Sequence, residues 1–362
     1  MARFLYNILH IYLISIFLVT FACKVYVTHA EKKVQGMFVF GCSVVDNGNN
    51  NDKSVKGNYL PYGIDFPRGP TGRFSNGKNV ADLIADHLSI SRIPSFLSLK
   101  SNGSQNLNDS TIENGVNFAS GASGIQEETS VKMGITSLKH QIKNFKKVVL
   151  PQLEDQAGNG RRNILGDYLF MIAAGNNDYT YYHTLHQDII WDPLVFAAKL
   201  VSNYFVQFQS LYKLGARKFL VMSVYPVGCN PVITKKKGEC LKGLNEAVDL
   251  FYEQLLLMVM QSKQDMPDAD FCVVNSAKII LDIIKSPKAA GFKNVDTPCC
   301  DTMVEGTCKR GGRTCPNRKE YVFFDGLHLT EAASDVLASK AYYSDENSEI
   351  YPDNLQTLIH SK

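Results

Sequence analysis

The 362-residue chain reads as an α/β protein, a parallel sheet with helices packed on both faces. Three observations predict it. Short apolar runs rich in aromatic and β-branched residues recur along the chain, and amphipathic stretches with helical spacing separate them. The runs end in Gly or turn-forming polar residues, as buried parallel strands do. No internal repeat is visible and the long polar stretches read as insertions, so residues 31–362 are expected to form one domain.

The first 30 residues stand apart. Arg3 supplies a positive start, Ile11 to Cys23 is apolar apart from Tyr12, Ser15 and Thr20, and Thr28-His29-Ala30 offers small residues at a cleavage site. That is the pattern of a secretory signal peptide. Its apolar run is about 13 residues, against about 20 for a bilayer span. The mature chain is therefore expected to be extracellular and soluble, with no integral membrane segment.

The first strand is Met37-Phe38-Val39-Phe40, and Gly41 permits a sharp exit towards Cys42-Ser43. A Gly-, Asn- and Pro-rich loop follows to about residue 77, then a helix from Lys78 to Leu88 with Val80, Leu83, Ile84 and Leu88 on one face. Residues 101–115 are polar and read as a surface excursion. Asn117 to Gly124 is a short run opening into small residues, where a backbone N–H could approach a ligand. A helix with a basic outer face is expected from Thr136 to Val149. The second strand, Tyr168 to Ala174, ends in Gly175-Asn176-Asn177-Asp178.

Pro193 to Leu214 is a long amphipathic helix with Val201, Phe205, Phe208, Leu211 and Tyr212 at helical spacing, and Gly215 suits its C-terminal cap. Lys218 to Val224 is the third strand, Leu241 to Met260 a helix, Phe271 to Val274 the fourth strand, and Ser276 to Lys285 a helix. Tyr321 to Phe324 is read as the last strand, followed by Asp325-Gly326-Leu327-His328 and a helix through about Ala341 that Thr330 can cap.

Composition narrows the function. Thirty-eight basic residues face 35 acidic ones, and loss of Arg3 and Lys24 with the leader leaves 36 against 35. Near-neutrality argues against nucleic acid as a partner, and Lys235-Lys236-Lys237 reads as a solvated loop. The absence of a GxGxxG after the first strand and of a P-loop argues against a nucleotide cofactor. Cys229, Cys240, Cys299, Cys300, Cys308 and Cys315 suggest disulfides in a secreted chain. A zinc site is the alternative for the last four, although vicinal Cys299-Cys300 is not the usual ligand pair. Cys42 and Cys272 lie in strand contexts and are expected to be free. Asn102-Gly103-Ser104 and Asn108-Asp109-Ser110 are N-glycosylation acceptors.

A Ser after a strand is by itself an ordinary cap. Here Ser43, Asn177 and the Asp325/His328 pair all follow strand-like runs, and the carboxyl ends of parallel strands share one edge of the sheet. A Ser hydroxyl needs a base to become a nucleophile. His328 can take its proton, Asp325 three residues earlier can orient the imidazole, and the Asn177 amide can donate to an oxyanion. His183 and His186 also follow a strand, but lack the nearby upstream Asp.

These motifs resemble, in order from Phe38 to Glu331, the plant-type GDSL esterase/lipase family of the SGNH hydrolases. Phe38 to Asn50 is similar to the nucleophile block and Gly72 to Lys78 to a run typical of plant members. Asn117 to Gly124, Gly175 to Asp178 and Phe324 to Glu331 match the later blocks. The resemblance implies a flavodoxin-like three-layer α/β/α fold and hydrolysis of carboxylic esters, often lipidic, without cofactor or metal. It also implies catalysis by Ser43, Asp325 and His328, with the oxyanion bound by the N–H of Ser43 and Gly121 and by Asn177. The family usually has Asp where Cys42 stands, Trp where Phe324 stands and Pro where Leu329 stands. Loss of the Asp leaves as an alternative an impaired member that binds lipid or wall material, and a further alternative is an acyltransferase using the same acyl-enzyme with an alcohol in place of water.

Overall fold

The computed structural model describes residues 34–360 except 92, 102–111, 132, 159–163, 186–191 and 235–238. The leader, Asn102, Asn108, His186 and the Lys235–Lys237 run lie outside the described residues.

Five strands form the sheet in the order β1 (Gly36–Gly41), β2 (Tyr168–Ala173), β3 (Lys218–Met222), β4 (Asp270–Val274) and β5 (Ile350–Pro352). The first four are parallel and β5 runs antiparallel to β4. On the open side of β1, residues 114–120 lie alongside without forming a regular strand. Val39 N–H donates to the Val116 carbonyl, and Phe118 and Ser120 N–H donate back to Val39 and Gly41. The chain thus leaves β1 to pair on one side, then crosses to pair β2 on the other. The carboxyl end of β1 is the point where open α/β sheets bind ligands.

The helices that position the site are α1 (Val80–His87), α2 (Leu138–Asn144), α3 (Asn176–Leu185), α4 (Pro193–Leu214), α5 (Lys242–Ser262), α6 (Ser276–Lys285) and α7 (Glu331–Tyr343). After α2 the chain continues through a π-turn at Phe145–Val149 into a helix at Leu150–Ala157. Local chemistry sets the boundaries. Asn79 and Asp82 form a capping box on α1, Thr330 accepts from Ala333 N–H at the start of α7, and Gly215 ends α4 at φ 115°.

Pairing in register places Phe38, Phe170, Phe219 and Phe271 side by side on one face of the sheet. Neighbouring ring centroids are 5.5, 6.0 and 5.0 Å apart, and each such pair contributes about 0.5–1.5 kcal/mol beyond its burial. Phe208 of α4 meets the Phe271 ring edge-on at 5.7 Å. Cys272, which points to the other face, lies against the Ala341 carbonyl of α7. Alternation along one strand therefore puts α4 and α7 in different layers, and the fold is the three-layer α/β/α arrangement expected.

The expected last strand is corrected. Val322, Phe323 and Phe324 are buried and Tyr321 half-buried, but the run makes only isolated bridges, Tyr321 with Asn294 and Phe323 with Leu329. Their backbone is satisfied elsewhere: Val322 N–H donates to Asn294, while Cys299 and Cys300 N–H donate to Phe323 and Phe324. An apolar run pairs with whatever backbone lies beside it, and here that is a disulfide loop. Its place at the end of the sheet is taken by Ile350–Pro352, three residues too short to show a periodicity.

The disulfides are Cys229–Cys240, Cys299–Cys315 and Cys300–Cys308, and Cys42 and Cys272 are buried free thiols. The last two bridges join Tyr59, Tyr62, Phe74 and Phe324 in a small second apolar cluster beside the main core.

Candidate active site

Ser43 stands two residues beyond β1, on a turn that only Gly41 can start. Gly41 has φ 136°, and a Cβ there would lie 2.0 Å from the Ala173 carbonyl oxygen. The turn is held by its main chain. Cys42 N–H donates to Ala173 O at 2.9 Å. Buried Gln141 of α2 accepts from Gly41 N–H at 2.8 Å and donates back to Gly41 O at 2.9 Å.

Ser43 Oγ is 2.8 Å from His328 Nε2, and His328 Nδ1 is 2.8 Å from Asp325 Oδ2. All three residues are buried. A carboxylate only accepts, so Nδ1 carries the imidazole proton and Nε2 is left to accept from the Ser43 hydroxyl. Asp325 Oδ1 accepts Leu327 and His328 N–H, each at 2.7 Å, and Oδ2 also accepts the Tyr62 hydroxyl at 2.6 Å. Four donors therefore fill one carboxylate.

The plant-type run explains how this loop meets the sheet edge. Arg73 is buried and pairs through two nitrogens with Asp82 of α1 at 2.6 Å each. Next to it, Phe74 stacks on the His328 ring with centroids 5.0 Å apart. Asn76 Oδ1 then accepts Glu331 N–H at the start of α7.

On the other side of Ser43, the 117–124 segment is stitched to the nucleophile loop. Asn117 Nδ2 donates to Val45 O, Asn49 Nδ2 to Asn117 O and Ala119 O, and Ser120 Oγ to Asn50 Oδ1. One more bond engages the N–H expected at an oxyanion: that of Gly121 donates to buried Asp46 Oδ2 at 2.8 Å. Gly121 O meanwhile accepts from Asn50 Nδ2, which turns the N–H of Ala122, at the far end of that peptide, the opposite way. Ala122 has φ 63° and is half-exposed. Its N–H has no acceptor among the described residues, and neither has that of Ser43.

Asn177 lies in the first turn of α3, four residues past β2. Its Nδ2 donates one hydrogen to Ser123 O at 2.8 Å, which fixes the amide and leaves a second hydrogen available. Gln141 Nε2 also holds Ser123, through its hydroxyl. Asp178 accepts from Ile125 N–H, Gln126 N–H and Thr129 Oγ1, tying α3 to the chain beyond Ala122. His183 lies on α3, and no bond joins it to Ser43 among the described residues.

Burial governs the charges behind the nucleophile. It raises the carboxyl groups of Asp46 and Asp178 to about 6 despite the N–H donors on each. It also raises the Cys42 thiol to about 12, with Asp178 and Asp46 adding repulsion. Cys42 is thus a neutral, buried side chain. Phe74 and Ala122 lie inside runs that the sequence singled out, whereas Tyr62 and Gln141 had no local signature and act through contacts made by the fold.

The first strand of a parallel α/β sheet thus delivers a Ser onto a His–Asp pair, the arrangement of side chains that serine hydrolases use, on a turn without a GxSxG sequence. Residues 37–341 match the family model of the GDSL-like Lipase/Acylhydrolase family. The chain is 35% identical over 351 residues to GDSL esterase/lipase At1g29660 of Arabidopsis thaliana, covering 91% of this chain and 92% of that protein. It is 36% identical over 362 residues to At1g29670 (94% and 96%) and 38% identical over 330 residues to At2g19050 (86% and 88%), GDSL esterase/lipases of the same plant. The chain belongs to the GDSL esterase/lipase family of carboxylic ester hydrolases.

Proposed function

We propose that the protein is a secreted serine esterase that cleaves acyl or lipidic carboxylic esters through an acyl-enzyme on Ser43. The observation that carries this is the unbroken chain Ser43 Oγ–His328–Asp325, with 2.8 Å at both junctions. His328 Nε2 takes the Ser43 proton as Oγ attacks the acyl carbon, and Asp325 stabilises the imidazolium. The tetrahedral oxyanion is received by the N–H of Ser43 and Ala122 and by the free Asn177 amide hydrogen, all donors without another strong claim. As the ester C–O bond breaks, His328 returns its proton to the leaving alcohol. Water, deprotonated by the same nitrogen, then attacks acyl-Ser43 and releases the acid. Every proton and electron pair in this sequence is handled by these groups.

The impaired alternative rested on Cys42. Against it stand the bonds that hold Ser43 in register, which come from main chain and Gln141 and need no acid at position 42. Secretion rests on residues 1–30, and among the described residues no helix is long and apolar enough to cross a membrane.

The test is turnover of short- and medium-chain p-nitrophenyl esters, with fluorophosphonate labelling alongside. Ser43→Ala should lose label and at least about 10⁴-fold in kcat. Equal turnover by both proteins would sink the assignment.

A further inference from the structure

We infer that Tyr62 is a positioning residue of the catalytic centre, which clamps Asp325 to the Cys300–Cys308 loop; this rests on the serine-esterase reading above. Tyr62 is buried, and its hydroxyl makes two hydrogen bonds. It donates to Asp325 Oδ2 at 2.6 Å, the oxygen that also faces His328 Nδ1, and accepts from Cys308 N–H at 3.0 Å. A phenol that must accept from a backbone amide and donate to a carboxylate has only one rotor position that serves both. The disulfide fixes the amide, the amide fixes the hydroxyl, and the hydroxyl fixes the carboxylate.

The ring is held as firmly. Tyr59, Phe74 and Phe324 surround it with centroids 5.3, 5.7 and 5.8 Å away. Phe74 is the ring that stacks on His328, so one aromatic cluster backs both the acid and the base. Burial and the adjacent Asp325 charge raise the phenol well above its ordinary range, which keeps it a donor. The two backbone donors on Oδ1 come from Leu327 and His328 in the same turn. They move with Asp325 and cannot register it against Ser43. Tyr62 is the donor to this carboxylate that comes from another part of the chain, and it supplies the external reference.

The experiment compares Tyr62→Phe with Tyr59→Phe. Tyr59 OH donates to Cys308 O at 2.8 Å and belongs to the same cluster, but makes no bond to Asp325. Tyr62→Phe should lower kcat about tenfold, as expected for one charge-assisted hydrogen bond, with KM within twofold. Tyr59→Phe should leave kcat within twofold. Added to Asp325→Asn, Tyr62→Phe should cost nothing more, because its effect passes through the carboxylate. Full kcat in Tyr62→Phe, equal losses in the two phenylalanine variants, or an additive double mutant would each overturn the inference. If Tyr62→Phe does not fold, Tyr62→His read by the same cycle replaces it, again with non-additivity expected. Ser43-independent turnover in the wild type would instead overturn the esterase reading, so the two failures are distinguishable.

Discussion

Ser43 is carried by the end of β1, a strand of the sheet, whereas Asp325 and His328 are carried by a loop outside it. The first half is held by ladder hydrogen bonds, by Gln141, and by the Asn-rich stitching between residues 46–50 and 117–121. The second is held by two disulfides, an aromatic cluster and Tyr62. A strand end inherits its position from the whole sheet. A loop must be braced locally, and this one is braced by residues up to 263 positions away in sequence. The difference predicts that damage to the first half should cost folding and damage to the second should cost registration.

The largest stability effect is expected from Gln141→Leu. It orphans the buried Gly41 N–H, at about 1–3 kcal/mol, and takes a donor from the carbonyls of Gly41 and Thr136, of which Gly41 O keeps Ser120 N–H. Chemical denaturation should show a lower midpoint, and kcat should fall with it because Ser123, the Asn177 acceptor, is released as well. Cys300→Ser with Cys308→Ser should cost about 2.5 kcal/mol, the chain-entropy figure for so short a loop. Its kcat should fall further than that loss explains at a temperature where both proteins are folded. A variant as active as wild type under those conditions would remove the distinction between the halves.

The smallest effect is expected from Cys42→Asp, which restores the residue usual in the family. A carboxyl there would share burial with Asp46 and Asp178, so its folded pKa should lie above its unfolded value. Stability tied to such a group is fully present below the unfolded pKa, near 4, and is lost as pH rises through the folded one. The variant should therefore melt lower relative to wild type at pH 8 than at pH 4, with kcat within threefold. A large gain in rate would show that the wild type is limited by its thiol.

Much of this was legible in advance, for identifiable reasons. The four parallel strands were readable because strands buried on both faces are apolar throughout, and the α4 and α6 boundaries because Pro193, Gly215 and the apolar spacing are local signals. Asp325 and His328 were found through their spacing and motif, but the strand supposed to deliver them pairs with a disulfide loop instead. The 117–124 segment was legible as small residues beside the strand end, but a sequence does not say which way a peptide plane faces. That orientation is set by Asp46 and Asn50.

The layered α/β architecture and the residue types that meet at the centre follow from the chain alone, since periodicity, caps and short motifs are written locally. What holds those residues in register emerges only from the folded chain. Gln141 on Gly41, Phe74 on His328 and Tyr62 on Asp325 are contacts between distant segments. Their energies exist only once the chain has closed around them.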